Sequence, residues 1–127
     1  LNKHMEANKF KCAVIGASTN PARYSYLAMN KLKAYGYPVV GYGLKDGEVN
    51  GMEIIGDKRL EEDIHTVTLY VGPAHIHDWI PLMLSLKPKR AIFNPGTEDI
   101  DTERTLKDAG IETIQACTLV MLSIGNF

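Results

Sequence analysis

The sequence predicts an α/β fold, doubly wound, with a mostly parallel sheet and helices on both faces. Three observations point there. Short apolar runs alternate with helical patterns along the chain, the order expected of a parallel sheet. The runs are continuously apolar rather than alternating, as in strands buried on both faces. Glycine and proline turn signals separate the segments.

The first strand is Lys11-Cys12-Ala13-Val14-Ile15, ending at Gly16. A turn follows over Gly16 to Pro21. A helix is expected from about Ser25 to Tyr35, because Tyr24, Leu27, Ala28, Leu32 and Tyr35 recur at spacings of three and four. Gly36 stands where a left-handed C-cap belongs. Pro38 to Gly43 is the second strand and completes a βαβ unit. Lys45 to Asn50 is polar and reads as a loop. Met52-Glu53-Ile54-Ile55 reads as a minor edge strand. Thr66 to Val71 is β-branched and aromatic, a strand stopped by Gly72-Pro73.

A second helix is expected over about Ala74 to Leu86, with Ile76, Trp79, Ile80, Met83 and Leu84 on one face. Pro81 inside it is a contradiction unless it falls in a first turn or at a kink. Arg90 to Phe93 is a strand ending at Asn94-Pro95-Gly96. Asp101 to Ala109 is a helix, capped by Asp99 or Asp101 and closed by Gly110. Glu112 to Gln115 is the last strand, and the apolar tail from Leu119 to Leu122 should return to the sheet.

The chain has 127 residues, which fits one domain, over residues 9–127. Hydrophobic residues make up 45% and charged residues 23%, ordinary for a globular protein. The net charge of −1, without blocks of like charge, argues against nucleic-acid partners. No apolar stretch approaches the about 20 residues a membrane span needs. Residues 1–8 have no long apolar core and read as a tag remnant or frayed end rather than a signal peptide. The expected compartment is the cytoplasm. Two cysteines make no disulfide framework; Cys12 reads as a buried hydrophobe.

In an open parallel sheet, ligands bind beyond the carboxyl ends of the strands, near the point where strand order reverses. The loop after the first strand is the most informative there. Gly16 allows a tight turn, Ala17 keeps the backbone open, and Ser18 and Thr19 add hydroxyls. The following helix offers free N–H groups and a partial positive charge that suit a phosphate, and Arg23 could add a bidentate contact. Small residues in such a turn are also compatible with simple packing. The full Gly-x-Gly-x-x-Gly fingerprint is absent, since Ser18 and Pro21 take the second and third glycine positions. The second strand closes with Gly43-Leu44-Lys45, a cation where a dinucleotide site wants a carboxylate. Asp46, one step on, keeps that alternative open.

Val14-Ile15-Gly16-Ala17-Ser18-Thr19-Asn20-Pro21 resembles the opening V-x-G-A-S-x-x-P of the coenzyme A-binding domains. These Rossmann-like domains include stand-alone bacterial proteins and the first domain of succinyl-CoA synthetase α subunits. The resemblance continues through Gly36-Tyr37, Asn50-Gly51, Gly72-Pro73, Phe93 to Glu98, Ala109-Gly110-Ile111 and Cys117, nearly all of residues 9–127. It implies that Gly16, Ala17, Ser18 and Arg23 meet the phosphates of coenzyme A or an acyl-CoA, with Thr19 and Gly43 beside them. Lys45 would lie near the 3′-phosphate or ribose. Val71, Gly72 and Pro73 would line the adenine side. Asn94, Pro95 and Gly96 would border the pantetheine path, with Cys117 at the ligand edge. The chain departs from the family in having Gly41-Tyr42-Gly43-Leu44 at the end of strand two, where Pro-Val-Asn-Pro is common. It also has Gly72 where an arginine is common.

No catalytic constellation is visible. A CoA-ligase reaction needs a phosphorylatable histidine from a further domain. His75 and His77 are two apart and diverge on a helix, so no metal site is expected. Cys117 lacks a paired base. The sequence therefore reads as a non-catalytic binder of a small nucleotide ligand. The alternatives are an NAD(P)- or other nucleotide-dependent enzyme, and a protein-interaction module with a degenerate pocket. Oligomeric state is open, a homodimer through exposed helices being common for this architecture.

Overall fold

The computed structural model describes residues 9–127; the reading of residues 1–8 lies outside them. The elements in chain order are β1 (Lys11–Ile15), α1 (Tyr24–Ala34), β2 (Val39–Tyr42), β3 (Gly47–Val49), β4 (Met52–Ile55) and β5 (Ile64–Leu69). A 3₁₀ turn (Ile76–Trp79) then leads into α2 (Ile80–Leu86), β6 (Arg90–Phe93), α3 (Ile100–Asp108), β7 (Glu112–Gln115) and α4 (Thr118–Ile124). The strands form one seven-stranded sheet in the order β3-β4-β2-β1-β5-β6-β7. β3 pairs antiparallel with β4, and every other pairing is parallel. The fold is α/β and Rossmann-like, as the alternating pattern predicts.

The sheet is apolar on both faces because each face carries a helical layer. One face buries Ala13, Ile15, Tyr42, Val67, Leu69 and Phe93 under Trp79, Leu82, Met83 and Leu86 of the 3₁₀ turn and α2 and Leu106 of α3. The other buries Cys12, Val14 and Ile54 under Met29 and Leu32 of α1 and Leu122 of α4. Burying a single Leu or Met side chain contributes about 1.5–3 kcal/mol, so these two layers dominate stability.

Four expectations are corrected. Lys45 to Asn50 is not all loop: Gly47–Val49 pairs with β4 and forms the sheet edge, so Met52–Ile55 is an inner strand. The segment 74–86 is not one helix but a 3₁₀ turn followed by α2, which puts Pro81 in the first turn, where its missing N–H costs nothing. The third long strand ends at Leu69 and leaves Tyr70 and Val71 in the following loop. The buried stripe of α1 is Ser25, Ala28, Met29 and Leu32, whereas Tyr24, Leu27 and Tyr35 face outward.

Helix ends follow local chemistry. After α1, Tyr37 N–H donates to Leu32 O and Gly36 N–H to Lys33 O, the paired bonds of a Schellman turn, with Gly36 at φ +91°. Gly110 closes α3 in the same way, through Ile111 N–H to Leu106 O and Gly110 N–H to Lys107 O. At the other end of α3, Asp99 accepts from both the amide and the hydroxyl of Thr102. The hydroxyl bond above all holds the Asp99 carboxyl below its usual range.

Candidate nucleotide cleft

Strand order reverses between β1 and β5. β2 and β4 lie to one side, β6 and β7 to the other. Above that point a cleft of about 1090 Å³ opens at the carboxyl ends of the strands. Its floor is the turn after β1. Gly16 takes φ +91°, and a Cβ there would stand 2.8 Å from Tyr70 O, so only glycine can leave the strand so close to β5. The amides of Gly16 and Ala17 both donate to Tyr42 O, at 2.9 and 2.8 Å. These two donors are therefore spent on the fold. Among the described residues, the amides of Ser18 and Thr19 donate to no partner. The Ser18 hydroxyl accepts from Asn20 N–H at 3.1 Å and keeps its own proton to donate.

α1 begins at Tyr24 with no side-chain cap and no acidic residue in its first turn. Its basic residues, Lys31 and Lys33, sit in the last turn. The positive end of the helix dipole is therefore uncompensated by protein and faces the cleft wall formed by Arg23, Tyr24 and Ser25.

Glycines hold this loop in place from the neighbouring strands. A Cβ on Gly43 would lie 2.5 Å from Ala17 O, and one on Gly47 would lie 2.9 Å from the Thr19 methyl. A Cβ on Gly56 would lie 2.6 Å from Asp46 N and 2.7 Å from Lys45 Cα. The loops after β1, β2 and β4 thus interlock at van der Waals distance. Asp46 is held too, since its Oδ1 accepts Gly56 N–H at 2.8 Å.

Of the sequence-predicted residues, Gly16, Ala17, Ser18, Thr19, Arg23, Gly43, Lys45, Val71, Gly72, Pro95 and Gly96 all line the cleft. Pro73, Asn94 and Cys117 lie outside its lining. Asn94 is buried beneath it. Its amide group donates to Thr68 Oγ1 and Leu69 O, and its Oδ1 accepts Thr118 N–H at 2.8 Å, tying β5, β6 and α4 together. Cys117 is half-buried at the N-cap of α4 and makes no capping bond.

The cleft also contains residues that the sequence did not assign to a ligand site: Gly56 and Lys58 after β4, Tyr70 after β5, and Asp78 and Trp79 in the 3₁₀ turn. Burial pushes the Tyr70 phenol up to about 12, and the nearby Thr68 and Thr118 hydroxyls offset only part of that. Its hydroxyl is buried with no hydrogen-bond partner. His75 lines the cleft, and His77 turns away to Asp99 at 3.4 Å. Among the described residues, no cluster of three or more His, Cys, Asp or Glu could hold a metal ion. No helix among them is long and apolar enough to cross a membrane.

A family model described as CoA binding domain matches residues 11–123. The crystal structure of an uncharacterized protein shares 45% identity with a TM-score of 0.90, covering 94% of this chain and 98% of that one. A hypothetical protein from Pyrococcus horikoshii OT3 superposes with a TM-score of 0.83 at 22% identity, covering 96% and 87% of the two chains. The dinucleotide-forming acetyl-coenzyme A synthetase 1 of Ca. Korarchaeum cryptofilum, solved with phosphate and ADP, shares the fold. There the TM-score is 0.72 at 15% identity, over 91% of this chain and 28% of that one. No curated protein matches.

Proposed function

The chain belongs to the CoA binding domain family, and from that premise we propose that its cleft binds coenzyme A or an acyl-CoA and performs no chemistry of its own. The observation that carries this reading is the open cleft above β1, with unpaired amides on one wall and an uncapped helix end beside them. In this reading the diphosphate meets the amides of Ser18, Thr19, Tyr24 and Ser25, while Gly16 and Ala17 shape the floor. A helix N-terminus supplies donors and partial charge to such a group with little reorganisation. Arg23 and Lys45 add cationic charge, and Pro95 and Gly96 border the path of the pantetheine arm.

Two features favour coenzyme A over a dinucleotide. Lys45 follows the end of β2, where a carboxylate would be needed to hold a bare ribose. The nearby carboxylate, Asp46, is already committed to Gly56 N–H. The non-catalytic part of the proposal draws on the cleft's side chains. His75 lines the cleft, and neither Cys12 nor Cys117 is in the lining to pair with it.

Thermal denaturation with coenzyme A, acetyl-CoA, NAD, NADP and ATP tests the proposal. A specific ligand at 100 times its Kd adds about 2.7 kcal/mol of stability. Stabilisation by coenzyme A or acetyl-CoA is expected. Stabilisation by NAD alone, or by none of the five, would overturn the reading. Turnover of an acyl-CoA by the purified protein would overturn its non-catalytic part.

A further inference from the structure

We propose that Lys58 is a specificity-determining residue that selects ligands whose ribose carries a phosphomonoester, reading it from the wall built by the β4–β5 loop. This rests on the coenzyme A reading of the cleft and adds a residue which the family resemblance does not assign. Lys58 lines the cleft and is held in place before any ligand arrives. Its Nζ donates to Asp78 O at 2.9 Å and lies 4.5 Å from the centre of the Trp79 ring. Trp79 is itself buried, so the ring is a fixed platform. An ammonium has three donors, and Asp78 takes one. The others remain for a ligand.

The charge of Lys58 is uncompensated. None of the ion pairs among the described residues includes it, whereas its neighbour Arg59 pairs with Glu53 and Asp57. Its backbone is also unusual. Lys58 takes φ +59°, a left-handed conformation that side chains other than glycine, asparagine and aspartate rarely adopt.

The anion it would meet follows from topology. A nucleotide whose diphosphate sits at the α1 N-terminus sends its ribose toward the end of β2. Lys45 follows β2 there, Gly56 backs directly onto it, and Lys58 is two residues beyond Gly56. Lys45 and Lys58 thus enter the cleft from adjoining loops, on the side assigned to the adenosine end. A phosphomonoester, close to doubly charged at neutral pH, matches that arrangement, and a free ribose hydroxyl does not.

Calorimetric titration with coenzyme A and with 3′-dephospho-coenzyme A tests this on the wild-type chain, Lys58→Met and Lys58→Arg. Wild-type protein should bind coenzyme A more tightly by about tenfold or more, the scale of a charge-assisted hydrogen bond. Lys58→Met should lose most of that preference, its loss of affinity for coenzyme A exceeding that for the dephospho ligand by about tenfold, and Lys58→Arg should keep the preference. An unchanged preference in Lys58→Met would overturn the inference. So would an equal loss for both ligands, which would mark Lys58 as a strut between loops. Equal wild-type affinity for the two ligands would sink the Lys58 role and leave the coenzyme A reading standing. Wild-type binding of neither would sink that reading itself.

Discussion

Two titratable side chains give the clearest tests at the level of single residues. Cys12 is fully buried, and burial pushes its thiol up to about 12 despite the opposing pull of Arg90. At pH 8 only about one in ten thousand of these thiols is ionised, so native alkylation should spare Cys12. Mass spectrometry after iodoacetamide treatment should find the label on Cys117, with Cys12 modified only after unfolding. His65 is stacked on Phe10 at 4.0 Å between ring centroids. Its pKa is lowered below 6.5 by burial first, then by Arg90 and Lys89. The unfolded chain therefore takes up this proton at higher pH than the folded one. Stability should be full above pH 6.5, fall as pH drops through 6.5, and level off below the folded pKa. Urea midpoints between pH 7.5 and 5 should show that decline, and His65→Gln should flatten it.

Among the elements, the loop after β1 is held by glycines on other strands, and that makes it testable apart from the fold. Gly43→Ala puts a methyl 2.5 Å from Ala17 O, so the loop must shift. Ligand-induced stabilisation should disappear while the circular dichroism of the sheet remains. Asn94 is a different case. Asn94→Ala strands the Thr118 amide and removes two bonds across β5 and β6, which should cost about 1–3 kcal/mol in denaturant unfolding. Asp99→Ala removes the cap of α3 and should cost about 1 kcal/mol. The strands were readable in sequence because burial on both faces leaves continuous apolar runs. β3 was not, because Gly47-Glu48-Val49 has no strand pattern and exists only through pairing with β4. The inner face of α1 was misread for a related reason. Tyr24, Leu27 and Tyr35 have helical spacing, yet the stripe that packs on the sheet is Ser25, Ala28, Met29 and Leu32, whose small and polar members blur the apolar pattern.

For the whole molecule, strand order decides what meets at the cleft. The first-strand loop, the end of β2 and Gly72 were legible as cleft residues because an alternating pattern implies a switch point with ligand loops at the strand ends, whereas Val71 was reached only through the family resemblance. Lys58, Asp78 and Trp79 were not, since they arrive from loops whose path depends on how α2 and its 3₁₀ turn settle on the sheet. A bulky group at the floor probes the whole assembly at once. Ser18→Trp should fill the space above β1 and abolish any thermal shift with coenzyme A, leaving the melting temperature of the free protein within a few degrees. A retained shift would place the ligand elsewhere.

The contacts at Gly43, Gly47 and Gly56 also bear on how recognition proceeds in time. Three loops meshed at backbone distance have little freedom left to lose when a guest arrives. Most of the ordering is completed as the chain folds, so association should be a single fast phase without a slow isomerisation. Amide exchange should then slow around residues 16–20 and 43–47 and hardly change in the outer strands.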